Sequence, residues 1–228
     1  MKKHVLIFFA LIAIFIQACK LDPPIYGAPP KEDWSASFQP LGTGTFWKYV
    51  TTKEGFEPDS SVLTVTGEQP IINDSLYHTI FSIGKKAGGN GYVYVDKHTI
   101  QIRLFYKEYN DNINTQYYND TIPKGGTWTA KITDSGLLNG VPARLVGTVI
   151  ETNATKVVNG ITFPRVTHTK MLLQKDNGSG FQTFATYDYY MQMGVGVIET
   201  DAVAADGTDL GRVSLYAYDI KSNEIIIK

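Results

Sequence analysis

The feature of this sequence that most constrains its fold is a series of short segments in which apolar and polar side chains alternate. The clearest is residues 99–109, where one face is apolar and the other polar: Ile100, Ile102, Leu104 and Tyr106 against Gln101, Arg103 and Lys107. A period of two residues is that of a β-strand with one buried face. We therefore expect a half-buried strand here, paired with the preceding segment 92–95.

Turn signals separate these segments. Asn159-Gly160 lies between apolar β-branched residues, and it predicts a hairpin because both turn residues need positive φ. Residues 141–151 and 165–174 alternate and predict two further strands, whereas the polar residues 110–123 predict a loop containing a short strand. No window beyond the N-terminal segment has the period of a helix. The sequence predicts an all-β fold of roughly 11 or 12 short strands, as an antiparallel sheet in an open (half) barrel or a sandwich.

The single cysteine, Cys19, excludes an intrachain disulfide, so the fold depends on its apolar core. The chain has 228 residues, which suits one β domain, predicted here for residues 38–228. Its 21 Lys and Arg balance 22 Asp and Glu, so no basic field is available to attract nucleic acid. The 14 tyrosines and 11 phenylalanines are residue types that strands accept well.

The N-terminal segment has the pattern of a secretory signal. Two lysines, Lys2 and Lys3, precede an apolar run from residue 5 to residue 16, which is shorter than the about 20 residues that a membrane-spanning helix needs. Ile16-Gln17-Ala18-Cys19 then resembles the bacterial lipobox. This resemblance implies a helical signal peptide of residues 1–18 that is cleaved, and a mature N-terminus at Cys19 that carries a diacylglycerol thioether and an acylated amino group. An ordinary signal peptide with an incidental cysteine is the alternative.

Residues 19–37 are predicted to be a lipidated tether. Pro23, Pro24, Pro29 and Pro30 oppose helix and sheet pairing and favour an extended chain. Two or more acyl chains anchor a protein stably to a membrane. The residue after Cys19 is Lys20 rather than Asp, so the resemblance implies the outer membrane of the cell envelope, on its periplasmic face or at the cell surface.

No group of residues has the spacing of a known catalytic or metal motif. His78, His98 and His168 are widely separated, and the Asp206–Asp209 turn lacks the alternating oxygen ligands of a calcium loop. No serine lies in a Gly-x-Ser-x-Gly elbow, and the sequence alone pairs no two carboxylates across a cleft. We therefore expect a protein that is not an enzyme, with no catalytic residue, no metal and no cofactor.

The abundance of aromatic residues is the remaining functional signal. Tyr106, Trp128, Tyr187 and Tyr189 are the candidate ligand-binding residues, because aromatic side chains on a sheet bind sugars or line an apolar groove. The alternative is that these tyrosines only suit strand faces, with the ring packed and the hydroxyl in water.

Two segments resemble a known group of proteins. The first, residues 40–49, reads Pro-Leu-Gly-Thr-Gly-Thr-Phe-Trp-Lys-Tyr, and the second, residues 189–198, reads Tyr-Tyr-Met-Gln-Met-Gly-Val-Gly-Val-Ile. Both are similar to motifs of uncharacterised lipoproteins from Bacteroidota, written PLxxGxxWxY and YYxxGVGxV. Those proteins resemble half-barrel envelope proteins such as the LolA-like lipoprotein carriers, whose concave sheet face holds lipid.

The resemblance implies a non-enzymatic envelope module that holds an apolar ligand or a protein partner on a concave sheet face. A surface glycan-binding protein and an envelope hydrolase are the two alternatives.

Overall fold

A computed structural model describes residues 37–85, 88–96 and 98–221. The predicted signal helix, the lipidation site Cys19, the tether up to residue 36 and the end of the predicted domain from residue 222 lie outside the described residues. No helix within the described ranges is long and apolar enough to cross a membrane.

The described residues form fifteen β-strands and no helix. The strands are β1 (Phe46–Thr52), β2 (Asp59–Val65), β3 (Ile71–Ile72), β4 (Ser75–Leu76), β5 (His78–Gly84), β6 (Gly88–Val95), β7 (Thr99–Tyr106), β8 (Asp111–Asn119), β9 (Thr127–Lys131), β10 (Leu137–Leu138), β11 (Val141–Val158), β12 (Ile161–Asp176), β13 (Phe181–Gln192), β14 (Gly196–Ala204) and β15 (Asp209–Asp219). The all-β prediction is confirmed. Three of the strands have only two residues, which is too short to show a period in the sequence.

Thirteen strands form one antiparallel sheet, in the order β10-β11-β12-β13-β14-β15-β1-β2-β5-β6-β7-β8, with β9 paired to β11. β1 and β15, the first and last strands of the described residues, pair in the middle of the sheet. The sheet curls until its two ends approach each other: Thr169 of β12 donates to the carbonyl of Tyr117 in β8, at 2.8 Å. Asn114 N of β8 also donates to the carbonyl of Ile132, at 2.7 Å. The sheet is therefore nearly closed and barrel-like, an arrangement that covers its edge strands.

The sequence prediction differs from the structure at two places. The predicted loop at residues 110–123 contains the nine-residue strand β8. The two strands predicted at 141–151 and 165–174 are parts of one long hairpin, β11–β12, closed as predicted by Asn159-Gly160 with φ of 48° and 79°. Register shifts in this hairpin, together with positive φ at Asn153 and Arg165, break the sequence period without ending the pairing.

Arg103 lies on the polar face of β7, but its side chain is only 9% exposed. Both terminal nitrogens of its guanidinium donate to the carboxylate of Asp134, at 2.5 and 2.8 Å, and Asn114 accepts a further bond from Nη1. The hydrogen bonds from Arg103 hold the pKa of Asp134 well below its usual range. The ion pair thus fastens the loop after β9 to the outer side of β7 and β8.

Replacing Asp134 by asparagine is expected to lower the free energy of unfolding at neutral pH by about 1 kcal/mol. A carboxyl group with a depressed pKa in the folded state contributes stability above its unfolded pKa of about 3.9 and loses it as the pH falls further. The difference in the free energy of unfolding between wild type and Asp134→Asn should therefore become smaller below about pH 4. Urea unfolding at neutral and acidic pH measures this, with the exposed Glu57→Gln as control. Parallel pH–stability curves for wild type and Asp134→Asn would contradict it.

Candidate ligand-binding cavity

The inner side of the curled sheet encloses a cavity of about 300 Å³. Its apolar lining comes from strands on both sides of the sheet centre: Leu63, Ile80, Val93, Ile102, Leu104 and Val213. The smaller polar side chains in its wall are Thr51, Ser61 and Thr200. The apolar face predicted for β7 therefore points inward, because alternation sends every second side chain of each strand to the inside of the curl.

Three large aromatic residues form part of this wall with their polar atoms already bonded. Trp47 Nε1 donates to the carbonyl of Val195 at 2.6 Å, and the Tyr49 hydroxyl donates to the carbonyl of Val197 at 2.7 Å. The Tyr117 hydroxyl donates to Gln39 Oε1 at 2.8 Å. Burial raises the pKa of both tyrosines above the usual value. These residues build the wall and offer a ligand no free donor.

A second cavity, of about 560 Å³, adjoins the first. The two share Tyr187 and Tyr189 in their linings. The second cavity also takes in Tyr106 and Tyr109 from the end of β7 and the turn after it, together with the charged residues Lys53 and Glu108. We refer to the first as the inner cavity and to the second as the outer cavity, without implying that the second is more open to solvent.

Tyr106, Tyr109, Tyr187 and Tyr189 line the outer cavity, and we call them the tyrosine cluster. The rings of Tyr187 and Tyr189 stack with centroids 6.3 Å apart, and Tyr189 stacks in turn on Tyr117 at 5.2 Å. The rings of Tyr106 and Tyr109 lie 6.3 Å apart. Within the described part of the chain, no hydrogen bond joins a hydroxyl of this cluster to another residue. The cluster therefore offers hydroxyl groups that can both donate and accept.

The cluster stays protonated at neutral pH. Burial raises the pKa of Tyr106 to about 12, with smaller contributions from Tyr187, Glu108 and Tyr109. Burial likewise raises the pKa of Tyr187 and of Tyr189 above the usual value, and Glu108 adds to the effect at Tyr187. The four phenols are thus neutral hydrogen-bonding groups rather than anions.

The structure brings three of the four predicted ligand-binding residues together, since Tyr106, Tyr187 and Tyr189 line one cavity. Trp128 belongs to the buried cluster against which these tyrosines pack, but it is not part of either cavity lining. Its side chain is buried over Gly147 of the neighbouring strand, and its Nε1 has no hydrogen-bond partner. Glu108 was not singled out from the sequence. It is adjacent to Tyr109 in the sequence, but its presence in one cavity lining with Tyr187 and Tyr189 of β13 depends on the tertiary fold.

Two histidines pair with carboxylates. His168 Nε2 lies 2.6 Å from Asp188 Oδ1 and its ring stacks on Tyr190, while His98 Nδ1 lies 2.8 Å from Asp120 Oδ1. A His–Asp pair that works by covalent catalysis also needs an attacking hydroxyl or thiol beside the imidazole. No serine or threonine hydroxyl within residues 37–85, 88–96 and 98–221 bonds either ring. The same ranges hold no group of three or more His, Cys, Asp or Glu residues positioned for a metal ion.

Comparisons with solved structures find seven matching chains, among them the following two. One is a candidate lipoprotein from Parabacteroides distasonis, with 12% identity and a TM-score of 0.49 over 80% of this chain and 98% of that protein. The other is a candidate exported protein with a YmcC-like fold from Bacteroides fragilis, with 10% identity and a TM-score of 0.49 over 79% of this chain and 97% of that protein. No family model and no curated protein matches the chain.

Proposed function

We propose that this chain is an outer-membrane lipoprotein of the cell envelope that holds an apolar ligand inside its curled sheet and catalyses no reaction. The lipobox-like Ile16-Gln17-Ala18-Cys19 supports the anchor. The inner cavity supports the binding role, and it is the observation that carries the proposal. Neither nucleic acid nor a cofactor has a part in this function.

The inner cavity suits an apolar molecule for two reasons. Its volume, together with that of the outer cavity, falls within the range of roughly 300–1,000 Å³ found for small-molecule sites. Its wall is mostly aliphatic and aromatic, and the polar atoms of Trp47, Tyr49 and Tyr117 are bonded to the protein. Burial of an apolar ligand against such a wall is favourable, at about 25 cal/mol for each Å² removed from water.

A bulky side chain inside the inner cavity is expected to abolish ligand binding. Ser61 lines this cavity, whereas Ser60, the preceding residue of the same strand, is exposed on the other face. Ser61→Trp should therefore weaken binding of the apolar fluorophore N-phenylnaphthylamine by about tenfold or more, because the indole occupies the ligand's space. Ser60→Trp is the matched control and should bind like wild type. Fluorescence titration of the purified mature protein measures both.

Thr51→Phe fills the same cavity from β1 and should repeat the loss, and circular dichroism checks that each variant folds. Equal affinities for Ser60→Trp and the two cavity variants, or no binding by the wild type, would refute the inner cavity as the ligand site.

The lipid anchor predicts incorporation of fatty acid at Cys19. In cells grown with an alkyne-bearing palmitate, the wild-type protein should carry the label. It should be extracted from the membrane fraction only by detergent. Cys19→Ser should lose the label and the membrane association, since no other cysteine can form the thioether. Label that persists in Cys19→Ser would contradict the anchor.

Surface glycan binding is the second candidate function. Tyr216 and Tyr218, two residues apart on β15, are 42% and 40% exposed. Exposed aromatic rings can stack on sugars. Glycan binding that is lost in Tyr216→Ala while the cavity variants bind normally would favour this alternative.

A further inference from the structure

The two cavities change in chemical character where they meet. The inner cavity is bounded mainly by aliphatic side chains such as Leu63, Val93 and Ile102. The outer cavity adds free phenol hydroxyls and the charged side chains of Lys53 and Glu108. Tyr187 and Tyr189 belong to both linings, so the cavities meet at these two residues. A ligand that reached from one cavity into the other would need an apolar end in the inner cavity and a polar end in the outer cavity.

The tyrosine cluster defines what the polar end can be. Its hydroxyls have no hydrogen-bond partner among the described residues. A head group that displaces water from these hydroxyls without bonding to them would therefore lose binding free energy. Hydroxyl groups on the ligand can donate to and accept from neutral phenols. A quaternary ammonium head can do neither, so it would leave the hydroxyls unbonded even where the aromatic rings attract its charge.

The charges nearby decide between a neutral and an anionic head. Glu108 lines the outer cavity together with the tyrosine cluster, and its charge adds to burial in raising the pKa of Tyr106, Tyr109 and Tyr187. Lys53 instead has its ammonium 5.1 Å from the ring centroid of Phe56 and acts on Asp209. A carboxylate or phosphate head would meet a like charge at Glu108, whereas ligand hydroxyls can donate to it.

We propose that the ligand is a single-chain amphiphile with an uncharged, hydroxyl-rich head, such as an alkyl or acyl glycoside. The hydrocarbon chain occupies the inner cavity, and the head lies among the tyrosine cluster, with hydroxyls bonded to Tyr106, Tyr187 and Glu108. This assignment rests on the proposed function, because it names the ligand class for the same cavity.

Three amphiphiles of equal chain length test the head group. Dodecyl glucoside, dodecanoate and dodecyltrimethylammonium, each below its micelle concentration, compete with bound N-phenylnaphthylamine on the mature protein. The glucoside should displace the fluorophore at a concentration about fivefold or more below that of either charged probe. Equal or better displacement by a charged probe overturns the head-group proposal alone, since the fluorophore still reports the cavity. Failure of the fluorophore to bind overturns the proposed function itself.

Conservative variants test whether the ligand head group binds at the tyrosine cluster. Tyr106→Phe and Tyr187→Phe keep the rings and should each weaken glucoside binding about two- to tenfold relative to any change in N-phenylnaphthylamine binding by the same variant. Tyr216→Phe, on the exposed part of β15, is the matched control. Glu108→Gln should strengthen dodecanoate binding and narrow the preference for the glucoside, with the exposed Glu151→Gln as control. Unchanged glucoside affinity in both tyrosine variants, or unchanged selectivity in Glu108→Gln, overturns the proposal.

Discussion

Replacing Trp47 by alanine is expected to lower the free energy of unfolding by about 3–5 kcal/mol. Its side chain is 1% exposed and lies in the main core cluster with Leu215 and Ile198. The bond from Nε1 to the carbonyl of Val195 connects residues 148 positions apart, so it ties the first strand of the sheet to the turn before β14. Truncation removes the apolar contacts, leaves a cavity and orphans a buried carbonyl in one step. Chemical denaturation followed by circular dichroism measures the loss.

Two further variants separate these contributions. Trp47→Phe keeps most of the ring packing and loses the hydrogen bond, so we expect a smaller loss of about 1–3 kcal/mol. Phe105→Ala removes an aromatic side chain that is 58% exposed and should change stability by less than about 1 kcal/mol. If Trp47→Ala were no more harmful than Phe105→Ala, the placement of Trp47 in the core would be wrong.

Replacing Gly147 by alanine is the second change with a large expected effect. Gly147 of β11 pairs directly with Trp128 of β9, and the indole occupies the space that a side chain at Gly147 would need. A Cβ built at Gly147 would lie 2.3 Å from Cε2 and Cζ2 of the indole, far closer than non-bonded carbons approach each other. The indole would have to move out of a buried site. We expect a loss of about 1–3 kcal/mol for alanine and more for valine.

Gly89→Ala is the matched control, since Gly89 is also a strand glycine and a Cβ there would have no atom within 4 Å. It should be neutral or slightly stabilising, because alanine has less freedom in the unfolded chain. Combining Gly147→Ala with Trp128→Leu should recover part of the loss, as residues in contact are not additive. Equal stability of Gly147→Ala and Gly89→Ala would show that the indole does not occupy this position.

Much of the secondary structure could be predicted locally. The two-residue period of segment 99–109 predicts β7 and the face that it buries, and Asn159-Gly160 predicts the turn of the longest hairpin. Both signals depend only on neighbouring residues, because alternation and turn propensity are properties of a few consecutive positions. The bulges of β11–β12 and the full length of β8 were missed because paired backbone can accommodate extra residues and polar side chains that interrupt the pattern.

Only part of the candidate site could be predicted from local sequence patterns. Tyr106, Tyr187 and Tyr189 could be named as aromatic residues on strands, but their convergence depends on β7 and β13 facing one interior. Arg103 was assigned to a polar face, and only the structure shows that Asp134 covers it. These relations join residues distant in sequence, and they follow from side-chain packing over the whole sheet.

The sequence by itself determined that the chain forms β-strands without a disulfide, because the period of its apolar residues and its single cysteine can be read position by position. Only the tertiary structure decided that β1 pairs with β15 and that the sheet curls into a nearly closed body. The reason is that strand propensity is a local property, whereas the choice of partner strand depends on which faces fit together across the whole sheet. That choice creates the two adjoining cavities on which the proposed binding function rests.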